Sequence, residues 1–166
     1  MTPLPAPLGT GPLTLWRLDE AQFAPTWDSG EGAFRHGGRW NNRGVRAVYA
    51  AFDPATAVLE VAVHKGFAVL DTVAHVLTSF AITDASNVHV VQPGDVPNRH
   101  WLHPGPPSAG QRDFGSALLA KHAFIAIPSA VSARSWNLIF EASRAASHYT
   151  VLAQERFALD PRLHPA

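Results

Sequence analysis

The stretch VRAVYAAFDPATAVLEVAVHKG, residues 45–66, decides the fold of this 166-residue chain. Its first part, residues 45–51, is mostly apolar and predicts a buried strand. Asp53 is a favourable helix N-cap and Pro54 suits the first helical position. A helix is therefore expected over residues 55–64, with the next glycine ending it. The stretch predicts a buried strand that leads through a short connection into a mostly apolar helix.

The elements on either side of this stretch are mostly strands. Further strands are predicted at residues 13–18, 73–82, 88–91, 123–127 and 149–157, and one more helix at residues 114–121. A proline-rich loop is expected over residues 93–112, and a loose Pro/Gly-rich arm over residues 1–12 precedes a single domain, residues 13–166. Because strands outnumber helices and do not alternate with them regularly, the pattern predicts an α+β fold with a mixed or antiparallel sheet.

The composition excludes several classes of function. Lys and Arg together number 13, as do Asp and Glu, so no global field attracts nucleic acid or a membrane surface. The absence of cysteine excludes disulfides, zinc–thiolate sites and cysteine nucleophiles. The N-terminal segment lacks the features of a signal peptide, and no apolar run reaches about 18 residues. A cytoplasmic protein without direct contact to nucleic acid or membrane is expected.

Glu60 is the one acidic residue within the apolar helical run, residues 55–63. It shares a helix face with Ala57 and His64, one turn to either side. A carboxylate that is buried there needs a cationic partner or a proton. The alternative is a solvated helix face with an ordinary contact between Glu60 and His64, and spacing alone does not separate the two.

Arg17 lies between Trp16 and Leu18 in the first predicted strand. An arginine in an apolar strand indicates a fixed anion, either a protein carboxylate such as Glu60 or a ligand phosphate held by the planar guanidinium. A solvated strand face is the ordinary alternative.

The loop FRHGGRWNNRG, residues 34–44, is basic and rich in glycine. Gly37 and Gly38 would let the backbone approach a ligand and present its N–H groups, as phosphate-binding nests do, and Arg39 follows directly. The spacing matches neither a Walker A loop nor G-x-G-x-x-G. Taken alone, the loop favours a glycine hairpin between two strands with exposed arginines.

The histidines give no metal motif. His100 and His103 have a loosely metal-like spacing, but they lie in the proline-rich loop with no acidic neighbour, so surface histidines are the ordinary interpretation. No G-x-S-x-G elbow and no Ser/His/Asp set is present. No metal site is therefore expected.

Together these segments resemble the RES-domain family over about residues 15–163. The resemblance is carried by Leu15-Trp16-Arg17, Gly37-Gly38-Arg39-Trp40-Asn41, Val48-Tyr49-Ala50-Ala51, Leu59-Glu60-Val61 with His64, Ile127-Pro128-Ser129-Ala130 and Phe157-Ala158-Leu159-Asp160-Pro161-Arg162. Trp136-Asn137-Leu138 stands where an asparagine-rich stretch is expected. The chain departs from the pattern at Leu18, where relatives often have an aromatic residue, and at residues 138–144.

The resemblance implies the toxin half of a bacterial toxin–antitoxin pair, with a fold like that of the ADP-ribosyltransferase toxins. Members of the family bind NAD⁺ and degrade it by hydrolysis or phosphorolysis, and some transfer ADP-ribose to a protein. The implied partner is an antitoxin with an Xre-like helix-turn-helix domain that blocks the toxin pocket. The resemblance is also compatible with an oligomeric toxin–antitoxin complex. No cofactor beyond the NAD⁺ substrate is implied. A mono-ADP-ribosyltransferase and a non-catalytic NAD-binding module stay open as alternatives.

The resemblance also implies a role for each matched residue. Glu60 would stabilise the oxocarbenium-like centre that forms when the nicotinamide–ribose bond breaks, or orient the nucleophile. With it, Arg17 and Ser129 would complete the catalytic set. The ring of Tyr49 would pack against nicotinamide. The residues expected to contact NAD⁺ are Arg17, Gly37, Gly38, Arg39, Tyr49, Ser129 and Asn137.

Overall fold

The computed structural model describes residues 12–132 and 134–163. Within these residues seven strands form one sheet: β1 (Leu13–Glu20), β2 (Ala47–Ala51), β3 (His75–Ile82), β4 (Val88–Val90), β5 (Phe124–Pro128), β6 (Trp136–Glu141) and β7 (Tyr149–Phe157). Their order across the sheet is β4-β5-β6-β2-β1-β3-β7. Only the β4–β5 pair is parallel, so the α+β class with a mixed, mainly antiparallel sheet is confirmed.

Five α-helices accompany the sheet in the described part of the chain: α1 (Glu31–His36), α2 (Pro54–Lys65), α3 (Phe67–Thr72), α4 (Ala109–Leu119) and α5 (Ala142–Ala145). Short 3-10 helices lie at Ala21–Thr26, Ala85–Asn87, Pro93–Asp95 and Pro161–Leu163. The helix α2 forms as expected. The Asp53 carboxylate accepts the Thr56 N–H at 2.7 Å, and the Gly66 N–H donates to the Ala62 carbonyl.

One strand and four α-helices were not predicted correctly from the sequence: β6, α1, α3 and α5 have no counterpart among the predicted elements, and α4 begins earlier than expected. The central strand β6 was missed because a continuous apolar run has no periodicity that separates a buried strand from a buried helix. The helix α3 was missed as well, and the strand after it begins at His75. The helix α4 begins inside the expected loop, residues 93–112, because Ser108 caps it by accepting the Gln111 N–H.

The core lies on both faces of the sheet, as the alternation along β6 demonstrates. Leu138 and Phe140 belong to a cluster that includes Trp27 and Phe80, on one face. Ile139 belongs to a second cluster on the opposite face. This cluster includes Trp40, Val91, Trp101 and Leu119. Since successive strand side chains point to opposite faces, this central strand is buried on both. The basic loop and the proline-rich loop thus pack together against the second face.

Three expectations concern the N-terminal arm, membrane-spanning helices and the location in the cell. Apart from Pro12, the arm expected over residues 1–12 lies outside the described residues. Among the helices of residues 12–132 and 134–163, none combines the length and apolarity that a bilayer crossing requires. The cytoplasmic location stays a prediction.

Candidate active site

A cavity of about 1090 Å³ opens between α2, the basic loop and the strands β1 and β2. It is lined by seven of the eight residues expected to form the site, namely Arg17, Gly37, Gly38, Arg39, Tyr49, Glu60 and Asn137. Ser129 is the exception: its neighbours Ala130 and Val131 line the cavity, while Ser129 is fully buried behind them. The fold therefore brings together segments that lie up to 120 residues apart in the sequence.

Glu60 is held by two neutral hydrogen-bond donors. Its Oε1 accepts from the Ser129 hydroxyl at 2.8 Å and from the Asn137 side-chain amide at 2.5 Å. Both bonds go to the same oxygen, and no donor to Oε2 is found among residues 12–132 and 134–163. The half-buried carboxylate is thus fixed in orientation, with one oxygen left for a group in the cavity.

Ser129 ends β5 and acts on Glu60 rather than facing the cavity. Its residue exposure is 0%. The hydroxyl donates to Glu60 and accepts the N–H groups of Val131 at 3.1 Å and Ser132 at 3.0 Å. The direct contact with NAD⁺ that the resemblance implies for Ser129 is not compatible with this geometry, because the hydroxyl is enclosed and fully engaged. Ser129 positions Glu60.

Asn137 reaches Glu60 from β6, where it pairs with Ala51 of β2 and Ile127 of β5. Its amide nitrogen faces the carboxylate, as a donor must. Its Oδ1 is buried and has no hydrogen-bond partner in the described part of the chain. An unpaired buried acceptor is unfavourable, so the Oδ1 atom does not stabilise this orientation. The hydrogen bond from Nδ2 to Glu60 therefore holds the Asn137 side chain in place.

Arg17 has a protein carboxylate as its partner, but this is Asp19 and not Glu60. Arg17 Nε and Nη2 donate to the two Asp19 oxygens at 2.9 and 2.7 Å, which is a bidentate pair. Arg17 Nη1 donates to the Tyr49 carbonyl at 2.8 Å and so ties β1 to β2. Asp19 was not identified from the sequence, although residues two apart on a strand share a face. Most of the Arg17 charge is neutralised by this pair.

Arg39 anchors the proline-rich loop through three carbonyl groups. Nη1 donates to Trp101 at 3.2 Å and to His103 at 3.3 Å, and Nη2 donates to Gly105 at 3.0 Å. No carboxylate forms an ion pair with Arg39 in the part of the chain that the structure describes. Arg39 therefore brings an uncompensated positive charge to the cavity wall, in contrast to Arg17.

The expected nest of free amide groups at Gly37 and Gly38 is wrong. The Gly37 N–H ends α1 by donating to Ala33 at 2.8 Å, with φ at +73°, and the Gly38 N–H donates to the Asn41 carbonyl at 3.0 Å. Gly38 instead provides space: a Cβ there would lie 2.6 Å from both the Asn41 Oδ1 and the Tyr49 hydroxyl oxygen. The glycine pair shapes the cavity wall and does not present donors to it.

Tyr49 is fixed by its hydroxyl group. It donates to Asn41 Oδ1 at 2.7 Å and accepts the Trp40 N–H at 3.1 Å. Burial raises the pKa of Tyr49 well above its ordinary value, so the phenol stays neutral. A neutral ring on the cavity wall, on the strand next to that of Asn137, can pack against a planar ligand.

The two histidines of the proline-rich loop lie near each other. His100 and His103 lie with ring centroids 6.3 Å apart. Within residues 12–132 and 134–163, no three His, Cys, Asp or Glu side chains are grouped as metal ligands would be.

Known proteins resemble the chain over most of its length. The family model described as RES domain matches residues 14–160. A protein named Toxin Res from Yersinia enterocolitica is 33% identical over 161 residues, which cover 91% of this chain and 99% of the relative. A Prs ADP-ribosylating toxin from Sphingobium sp. is 30% identical, with 90% and 96% covered. A chain in the crystal structure of the M. tuberculosis MbcT–MbcA toxin–antitoxin complex shares the fold, with a TM-score of 0.70 at 20% identity over 89% of this chain and 85% of that chain.

Proposed function

The chain belongs to the RES-domain family, and from this premise we propose that it is an enzyme that cleaves the nicotinamide–ribose bond of NAD⁺. The observation that carries the proposal is Glu60, a carboxylate that Ser129 and Asn137 orient at the wall of a cavity large enough for a dinucleotide. Depletion of NAD⁺ would make the protein the toxin of a toxin–antitoxin pair.

The chemistry needs one positioned anion. When the bond between the ribose C1 and the pyridinium nitrogen breaks, nicotinamide leaves as a neutral molecule with the bonding electron pair, and positive charge develops on the ribose. The Glu60 carboxylate stabilises this charge. Water then adds to C1 and gives a proton to Glu60, which yields ADP-ribose. Attack by inorganic phosphate instead gives ADP-ribose 1-phosphate.

The remaining site residues serve to bind and orient the dinucleotide. Arg39 offers the uncompensated charge that suits the pyrophosphate, while Arg17, already paired with Asp19, adds a weaker contribution. The backbone at Gly37 and Gly38 allows close approach, and the Tyr49 ring gives a flat surface for the nicotinamide. Neither hydrolysis nor phosphorolysis requires a cofactor besides the NAD⁺ substrate.

A protein partner is part of the proposal. The solved chain that shares this fold comes from a toxin–antitoxin complex, and a relative at 33% identity is named Toxin Res. We therefore expect a cognate antitoxin, with the Xre-like helix-turn-helix domain that the family resemblance implies, to inhibit the enzyme in the cytoplasm.

Transfer of ADP-ribose to a protein is the second candidate, because a relative at 30% identity is named an ADP-ribosylating toxin. Both candidates share the bond that breaks and differ in the acceptor. Antitoxin-free protein is incubated with NAD⁺, with and without phosphate and with and without a cell lysate. Free ADP-ribose or its 1-phosphate supports the proposed activity, and label transferred from NAD⁺ to lysate protein supports the second. A folded protein that releases no nicotinamide would contradict both candidate activities.

A further inference from the structure

One exposed aromatic ring of the cavity wall, Phe23, belongs to none of the hydrophobic clusters found among residues 12–132 and 134–163. In the described part of the chain, eight large apolar side chains are exposed, and only Phe23 and Val63 of these line the cavity. Val63 follows Glu60 by three residues on α2, so it belongs to the catalytic end. Phe23, with 50% of its surface exposed, is the exposed apolar group elsewhere on the wall.

The segment that carries Phe23 lies beside β3 and β7, whereas the partners of Glu60 lie at the end of β5 and on β6. This segment, Ala21–Thr26, is fastened to the region of β3 and β7: the Ala21 N–H donates to Ala74 at 2.8 Å, and the Ala24 carbonyl accepts from Gln154 at 2.9 Å. Asn137 lies on β6, three strands from β3. With neighbouring strands about 4.8 Å apart, the lateral separation is about 14 Å.

The strands between these two ends carry the groups that suit the middle of a dinucleotide. Tyr49 lies on β2 and Arg17 on β1, and the Arg17 side chain reaches across to β2. The Lys65–Glu20 ion pair joins the end of α2 to the end of β1, just before Phe23. The cavity wall thus presents, in order, a positioned carboxylate, a neutral ring, an arginine paired with Asp19 and an exposed aromatic ring.

We propose that Phe23 forms the nucleobase subsite of this cavity and stacks on the adenine of NAD⁺. The inference rests on the proposed function for the direction of the substrate, since the nicotinamide ribose must lie at Glu60. An extended dinucleotide placed in this way passes Arg17 and brings its adenine to Phe23, while Arg39 supplies the uncompensated charge for its pyrophosphate. Stacking on an aromatic ring suits every nucleobase, and the exposed ring is free to provide it.

Two binding probes separate the base from the phosphates. Isothermal titration calorimetry is carried out with ADP and with inorganic pyrophosphate on the wild-type protein and on Phe23→Ala. We expect Phe23→Ala to weaken ADP about tenfold and to leave pyrophosphate unchanged. In turnover, the KM for NAD⁺ should rise by a similar factor while kcat stays within about twofold. Phe23→Tyr, which keeps a stacking ring, should restore both values.

Phe34→Ala is the matched control, because Phe34 is also exposed, at 38%, but does not line the cavity. It should leave ADP affinity and KM unchanged. Equal ADP affinity in Phe23→Ala and in the wild type overturns the subsite. If that variant also binds the antitoxin less tightly, the ring serves protein docking instead. Phe23-dependent ADP binding without nicotinamide release upholds the subsite and overturns the proposed function.

Discussion

Glu60 Oε1 and Asn137 Nδ2 are joined by a hydrogen bond of 2.5 Å, although 77 residues separate them in the sequence. The bond connects α2 to the central strand β6, next to the bond from Ser129. The carboxylate orientation is therefore determined by the sheet as well as by the helix. This dependence makes each donor a testable positioning residue.

Replacing Asn137 tests its action through Glu60. Asn137→Ala removes one donor, and kcat is expected to fall about tenfold or more with a smaller change in KM, because a misoriented carboxylate affects mainly the transition state. Asn137→Asp brings a second carboxyl group next to the first, and the two share a proton more readily than one does alone. The acidic limb of the pH–kcat profile should therefore move to higher pH in Asn137→Asp. An unmoved limb together with an unchanged kcat would show that the contact is only structural.

Replacing Ser129 should reduce both activity and stability. Ser129→Ala removes a donor to Glu60 and leaves the N–H groups of Val131 and Ser132 without their acceptor, at a cost of about 1–3 kcal/mol in the free energy of unfolding. Ser132→Ala is the control, since the Ser132 hydroxyl bonds to Ser135 and not to Glu60. Denaturant titration and kcat are measured for both variants. Equal losses of kcat in the two would argue against positioning by Ser129.

The space at Gly38 should be required for the cavity wall. In Gly38→Ala the new methyl group meets Asn41 and the Tyr49 hydroxyl, and the overpacking is expected to cost about 1–3 kcal/mol. Gly32→Ala is the matched control: it lies in α1 on the same cavity, with nothing within 4 Å of the added atom. A helix interior favours Ala over Gly by about 0.5–1 kcal/mol, so this variant should be neutral or more stable. Thermal unfolding distinguishes them, and a Gly38→Ala protein as stable as Gly32→Ala would refute the packing argument.

Removing the charge of Arg39 should affect both substrate binding and the proline-rich loop. Arg39→Gln is expected to raise the KM for NAD⁺ at least tenfold, because the charge proposed to bind the pyrophosphate is lost. It should also speed proteolytic cleavage within residues 97–107, where Arg39 anchors three carbonyl groups. Arg35→Gln is the control, since Arg35 is exposed and paired with Glu31. Unchanged cleavage and an unchanged KM in Arg39→Gln would contradict both roles.

The parts of the fold that depend on local signals were predictable. The ends of α2 follow from Asp53 and Gly66, whose hydrogen bonds involve residues three or four positions away. Residues 149–157 form a strand with the expected bounds. In contrast, β6 is buried on both faces, so its run of apolar residues has no alternation to mark it as a strand.

The site was predictable as a set of residues but not as a set of contacts. Glu60 was identified as the unusual carboxylate, yet its partners come from strands far along the chain. Asp19 was overlooked beside Arg17, since a charge at the end of a strand is usually solvated. The amides of Gly37 and Gly38 were expected to be free, but a helix end and a tight turn use them. The partners of Glu60 depend on tertiary packing, which spacing does not encode.

The most direct measurement of the central claim is nicotinamide release from NAD⁺ by Glu60→Gln beside the wild type, both antitoxin-free. Glutamine keeps the side-chain length and an oxygen that can accept from Ser129 and Asn137, so circular dichroism and thermal unfolding should match the wild type. Without the negative charge, turnover is expected to fall at least about 100-fold. Turnover within threefold of the wild type, in protein with an unchanged fold, would contradict the assignment of Glu60 as the catalytic carboxylate.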